Sequence, residues 1–233
     1  MSAGVATIWL DRPEKANALS AAAVEVLSAQ VASTIADPAV HTLVFRGRGK
    51  HFCTGFDLSG LEAETDATLR ERFVALEKLL QAVWHAPVRT VAVATGRAWG
   101  AGADLFASCD LRACTAEATI RFPGTAFGIV LGTRRLVELV GWDRARPLVT
   151  EGATHDAANA LAAGLATDLV EGDIDAWVAS RCAPPVADRE TLTQVREATR
   201  PDHRAADLAS LVRSASRPGL VRRIEAYRAG LKK

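Results

Sequence analysis

The 233 residues are 49% hydrophobic, enough apolar material to bury one sizeable core. Lys and Arg number 28 against 27 Asp and Glu, and the resulting charge of +1 argues against nucleic acid or an anionic membrane surface as a partner. The four cysteines (Cys53, Cys109, Cys114, Cys182) lack Cys-x-x-Cys spacing and neighbouring histidines, which removes zinc and thioredoxin-type sites.

In chain order, Val5-Ala6-Thr7-Ile8-Trp9-Leu10 reads as a strand, broken by Asp11-Arg12-Pro13. Ser20 stands where an N-cap belongs, ahead of an Ala/Val/Leu-rich helix reaching Ile35. Thr42 to Phe45 is a second strand. Leu69 to Trp84 has helical period, with Phe73, Leu76, Leu79, Leu80 and Val83 on one face. Val88 to Ala94 is a third strand, Ala101 to Ser108 a short buried helix, and Leu111 to Phe122 holds strand-like material. From Leu136 onward the pattern is mostly helical. The alternation predicts an α/β fold with parallel strands. No apolar run approaches the ~18 residues that span a bilayer. Met1 to Leu10 has no basic region ahead of an apolar stretch, so no secretory signal is expected. Free thiols suit a reducing cytosol, and a cytoplasmic protein is the expectation. The local basic runs are Arg222-Arg223 and Lys232-Lys233.

Two glycine-containing turns follow strands: Phe52-Cys53-Thr54-Gly55-Phe56-Asp57-Leu58 and Gly96-Arg97-Ala98-Trp99-Gly100-Ala101-Gly102-Ala103-Asp104. The glycines of the second fall as G-x-x-x-G-x-G, not as the G-x-G-x-x-G of a dinucleotide loop, and no Lys-Ser/Thr follows as in a P-loop. A helix N-terminus points free N–H groups outward and carries partial positive charge. A second N–H converging from another tight turn would complete an oxyanion hole.

Four segments resemble one family, the crotonase superfamily (enoyl-CoA hydratase/isomerase family). Leu10 to Leu19 looks like its R-P-x-x-x-N-A-L signature. Phe52 to Leu58 is similar to its F-C-A-G-x-D-L turn. Gly96 to Asp110 resembles its G-x-A-x-G-G-G-x-E/D-L-A-x-x-C-D segment, and Thr150 to Val170 its later T-G…A-x-x-A-x-x-x-G-L-V stretch. The resemblance implies a crotonase-type (ClpP/crotonase) spiral of ββα turns over 1–172. A C-terminal helical extension would follow at 173–233, serving oligomerisation as a homotrimer or hexamer. It implies an acyl-CoA substrate and no separate cofactor, coenzyme A being part of the substrate. The implied activity is (de)hydration of an enoyl/3-hydroxyacyl-CoA through an enolate.

By the same resemblance, the N–H groups of Phe56 and Ala101 hold the thioester oxygen, and Asp104 falls at the family's first catalytic glutamate. Lys15, Ala16 and Ala18 lie where relatives meet pantetheine and phosphates. Thr54, Asp57 and Leu58 lie where they meet the adenine end, and Gly100 and Gly124 border the acyl site. Lys15 reads equally as an exposed loop residue, and Phe56 as a core aromatic.

Two departures stand out. Aspartate is shorter than glutamate by one methylene, ~1.5 Å of reach. The second glutamate, which ends an aromatic-G-x-P-E stretch in the family, is Gly124 here, after Ile120-Arg121-Phe122-Pro123, and the loop to Leu136 is shortened. Loss of a general acid typically costs ~10²–10⁴ in rate. Alternatives therefore stay open: decarboxylative or retro-aldol cleavage, thioester hydrolysis, or acyl-CoA binding without turnover. Arg121 reads as a carboxylate anchor or a solvated strand residue. His51 is expected to be exposed and His85 to end a helix, and His41, His155 and His203 have no carboxylate or cysteine pattern around them. A serine hydrolase is disfavoured, for no Ser stands in a G-x-S-x-G turn.

Overall fold

The computed structural model describes residues 4–230, so Lys232 and Lys233 lie outside the described residues. The chain opens with β1 (Val5–Leu10), α1 (Ala21–Ala36), β2 (Thr42–Gly47) and α2 (Asp66–Trp84). β3 (Arg89–Ala94), β4 (Arg97–Trp99), α3 (Ala101–Ala107), β5 (Leu111–Cys114) and β6 (Thr119–Arg121) follow. The second half holds α4 (Thr133–Val140), α5 (Trp142–Thr150), β7 (His155–Asp156), α6 (Ala157–Ala162) and β8 (Asp168–Leu169). Four helices close it: α7 (Ile174–Arg181), α8 (Arg189–Thr199), α9 (Arg204–Ala215) and α10 (Leu220–Gly230).

One sheet has five strands in the order β1-β2-β3-β5-β8, every neighbouring pair parallel. A second sheet, β4-β6-β7, lies beside it, β4 and β6 parallel and β7 antiparallel to β6. The chain steps from the first sheet to the second within two residues, from β3 to β4, then into α3. That step is the repeating strand–strand–helix turn of a spiral.

The central strands read as continuous apolar runs because both faces are covered. Leu43, Val44 and Phe45 of β2 are each fully buried. One face packs against α1, α2 and α3. The other carries Val44, Val91, Val93 and Ala113 and is covered by Ile174, Trp177 and Val178 of α7. Ser20 caps α1, its Oγ accepting the Ala23 N–H at 3.2 Å. Thr65 and Thr68 form a reciprocal capping box on α2. α9 packs along α2, and α10 reaches back to the turn at Gly124–Phe127.

The helical reading beyond Leu136 needs correcting for β7 and β8. At two residues each they are too short to leave a period-2 signature. β8 exists because Val170 N–H donates to the Cys114 carbonyl and Thr167 N–H to that of Arg112, extending the sheet edge. Arg223 is half-buried, its guanidinium donating to the carbonyls of Phe127, Arg217 and Pro218.

Candidate active site

The residues of the first signature act on one another. The Asn17 amide donates to the Arg48 and His51 carbonyls and its Oδ1 accepts the Arg12 N–H. Arg12 donates onward to the Ala18 carbonyl and to Asp57 at 3.0 Å. Burial works against the Asp57 charge, but the Ser59 hydroxyl and N–H and the Arg12 guanidinium outweigh it and hold the carboxyl below its ordinary range. Thr54 donates through both N–H and Oγ1 to the Ala16 carbonyl. The segment 12–20 is thereby bolted to the turn 53–59.

The two glycine turns lie back to back. Cys53 N–H donates to the Arg97 carbonyl and Trp99 N–H to that of Cys53. A methyl group at Gly55 (φ +102°) would sit 2.7 Å from the Trp99 oxygen and 3.4 Å from the Ala101 nitrogen, so only glycine permits the approach. Leu19 N–H donates to the Gly55 carbonyl at 2.7 Å. In a trans peptide the N–H points opposite to the C=O, so the Phe56 N–H faces away from Leu19. Ala101 is the first residue of α3, and its N–H precedes the first intrahelical bond. The two backbone donors therefore stand on touching turns, one of them at a helix N-terminus.

Above them is a cavity of about 140 Å³. Its wall includes Thr54, Phe56, Leu58, Gly100, Ala101, Asp104 and Gly124 from the expected set. Lys15, Ala16, Ala18 and Asp57 are elsewhere. Lys15 is exposed, and Ala18 lines a neighbouring groove with Trp9, Leu10 and Val26. Phe56 is partly buried; it lines the cavity and stacks on Phe73, rings 4.4 Å apart and 15° from parallel.

Asp104 is the one carboxylate in the wall and is 7% exposed. Burial pushes its carboxyl up to about 8; Arg135 pulls against that and Glu77 adds to it. Arg135 and Glu77 form a bidentate buried pair at 3.0 and 2.6 Å. Sequence reasoning missed this pair, although Glu77 interrupts the apolar face of α2 between Phe73 and Leu80, a signal in itself. It also missed Tyr227, which α10 carries into the wall, and Gly132, which packs on the Asp104 carboxylate.

His51 differs from expectation. It is half-buried, and its Nδ1 accepts the Arg97 N–H at 3.2 Å. His203 does face a carboxylate, Glu138, at 3.9 Å, and His85 caps the end of α2. Arg121 lines the cavity instead of standing in solvent. All four cysteines are buried and unpaired. Among the described residues no His/Cys/Asp/Glu group could hold a metal, and no helix is long and apolar enough to cross a membrane.

A family model described as Enoyl-CoA hydratase/isomerase matches residues 1–188. The chain belongs to that family. It is 37% identical over 186 residues to the "Probable enoyl-CoA hydratase echA6" of Mycobacterium tuberculosis, covering 77% of this chain and 74% of that one. A crystal structure named for an enoyl-CoA hydratase/isomerase of Bordetella parapertussis superposes with a TM-score of 0.92 at 41% identity, covering 97% of this chain and 95% of the other. A Thermobifida fusca structure named for an enoyl-CoA hydratase, in complex with acetoacetyl-CoA, gives a TM-score of 0.75 at 31% identity, with 92% and 91% covered. The crotonase-type α/β fold expected of this enoyl-CoA hydratase/isomerase family member is the fold it has.

Proposed function

We propose that this chain binds an acyl-CoA thioester and (de)hydrates an enoyl/3-hydroxyacyl-CoA, with Phe56 and Ala101 as oxyanion donors and Asp104 as the single proton carrier. The observation supporting it is the convergence of the two donor turns and one buried carboxyl on one cavity. The Thermobifida relative, which holds acetoacetyl-CoA, supports a thioester as the guest.

Burial pushes the Asp104 carboxyl up to about 8, so it is largely protonated at pH 7. A protonated carboxyl offers an O–H donor on one oxygen and an acceptor on the other. As water adds to the β-carbon, Asp104 gives its proton to the α-carbon and takes the water's proton on its other oxygen. The thioester oxygen carries the developing charge between the two N–H groups. Water is added across the double bond and Asp104 ends as it began, so no second carboxylate is required.

The test is loss of the conjugated enoyl thioester absorbance with crotonyl-CoA, beside Asp104→Asn. Turnover by the wild type and a fall of ~10²–10⁴ in the variant support the reading. Turnover that survives in Asp104→Asn refutes it. The replacement of the second glutamate by Gly124 favours one alternative, acyl-CoA binding without turnover, which the same assay reports as inactivity with binding retained. A homotrimer or hexamer is proposed with this function, to be tested by light scattering. The buried free thiols suit the cytoplasm.

A further inference from the structure

Arg121 is an unusual wall for an apolar cavity. It ends β6, opposite Trp99 in the parallel β4–β6 ladder. Its Nε donates to the Gly152 carbonyl at 2.8 Å, which fixes the fork, and the guanidinium carbon lies 5.8 Å from the Trp99 ring centre. None of the ion pairs among the described residues uses it. Arg72 pairs with Glu64, and Arg196 and Arg200 with Asp110. Arg112, Arg89 and Arg223, which also lack an ion pair among the described residues, donate to backbone carbonyls and do not line this cavity. The remaining wall is largely hydrocarbon and aromatic, with Phe56, Phe73, Phe127 and Tyr227 facing the space. A cation partly removed from water without a partner is costly, and a guest that brings the partner recovers that cost.

We propose that Arg121 is an anchor for a carboxylate carried on the acyl group, so that the preferred substrates are CoA half-thioesters of short dicarboxylic acids. This rests on the acyl-CoA reading above and narrows it. Two further observations agree. Asp104, the other ionisable wall group besides Tyr227, holds its proton near neutrality, so it does not cancel the Arg121 charge. A space of about 140 Å³ resembles the ~150 Å³ cavity that accepts a benzene, which fits a guest of a few heavy atoms. Guanidinium and carboxylate match as planar forks, and two Nη groups remain for the pair after Nε is used.

The experiment compares succinyl-CoA with butyryl-CoA, equal in chain length and differing in the terminal carboxylate, titrated against the full chain with free CoA as control. Succinyl-CoA should bind about tenfold or more tighter than butyryl-CoA, and Arg121→Met should erase that preference by weakening succinyl-CoA far more than butyryl-CoA. Arg121→Lys keeps the charge but loses the Gly152 bond and the fork, and should retain part of the preference. Equal affinities in the wild type overturn the proposal and leave the acyl-CoA reading standing. So does an Arg121→Met variant, still folded by circular dichroism, that weakens both esters and free CoA alike; that result places Arg121 on the CoA phosphates. If neither ester binds the wild type, the acyl-CoA reading fails and this proposal with it.

Discussion

Replacing Asp104 by Asn removes a titrating group and keeps nearly the same shape. In the folded protein the Asp104 carboxyl titrates at about 8, burial being the main cause. In the unfolded chain it titrates near 3.9. The folded state therefore holds one more proton than the unfolded state between those values. Stability from this group is fully present below about pH 4 and is lost as the pH rises through 8. The slope is about 1.4 kcal/mol per pH unit, so the wild type should lose roughly 4 kcal/mol relative to Asp104→Asn between pH 5 and pH 8. Every other titrating group is common to the two proteins and cancels in the difference. Urea unfolding of both at pH 5, 6.5 and 8 reads it directly, the variant gaining on the wild type at each step. Curves that stay parallel from pH 5 to pH 8 would mean an ordinary carboxylate at 104, and the proposed proton carrier would be gone.

If Asp104 works as an acid, kcat/KM for crotonyl-CoA should fall about tenfold per pH unit above 8; a rise through pH 8 would make it a base. Breaking the buried Arg135–Glu77 pair by Glu77→Gln should cost ~3–5 kcal/mol in urea unfolding, and Glu77→Leu with Arg135→Met together much less. Gly124→Glu should fold, because a Cβ there meets only the Ile129 carbonyl oxygen at 3.6 Å. It should raise crotonyl-CoA hydration at least tenfold by supplying a second carboxylate, and an unchanged rate would show that the missing glutamate does not limit the reaction.

Local signals carried the elements well. Ser20 as a cap, the β1 limits and the buried face of α2 follow from short-range chemistry, and the structure has them as expected. The donor turns could be found because glycines mark backbone contacts, and Gly55 does touch the Trp99–Ala101 turn. What stayed hidden is long-range. Nothing near Asp104 in sequence says that it will be dry, because Glu77 on α2 and Arg135 on α4 lie tens of residues away on either side. Tyr227 enters the cavity only because α10 folds back over the turn at Gly124–Phe127. Sequence alone left Arg121 between a carboxylate anchor and a solvated strand residue, because period-2 alternation tells inward from outward, not core from cavity.

The departures from the two-glutamate pattern fit one another. α4 begins directly after Gly132, whose φ of +66° suits glycine, and a methyl group at Gly132 would lie 2.4 Å from the Asp104 Oδ1. The loop thus rests on the carboxyl itself. A side chain one methylene longer, ~1.5 Å, would press on the loop on that side. The same contact covers one side of the carboxyl, and burial pushes it up to about 8. A glutamate at 124 would have placed a negative charge on the same cavity as Arg121, where the two could attract each other across the acyl site. With glycine there, Arg121 keeps its charge for a guest. Asp104, Gly124 and Arg121 together leave the cavity with one largely protonated acid and one cation outside any ion pair among the described residues, suited to a substrate that brings its own anion.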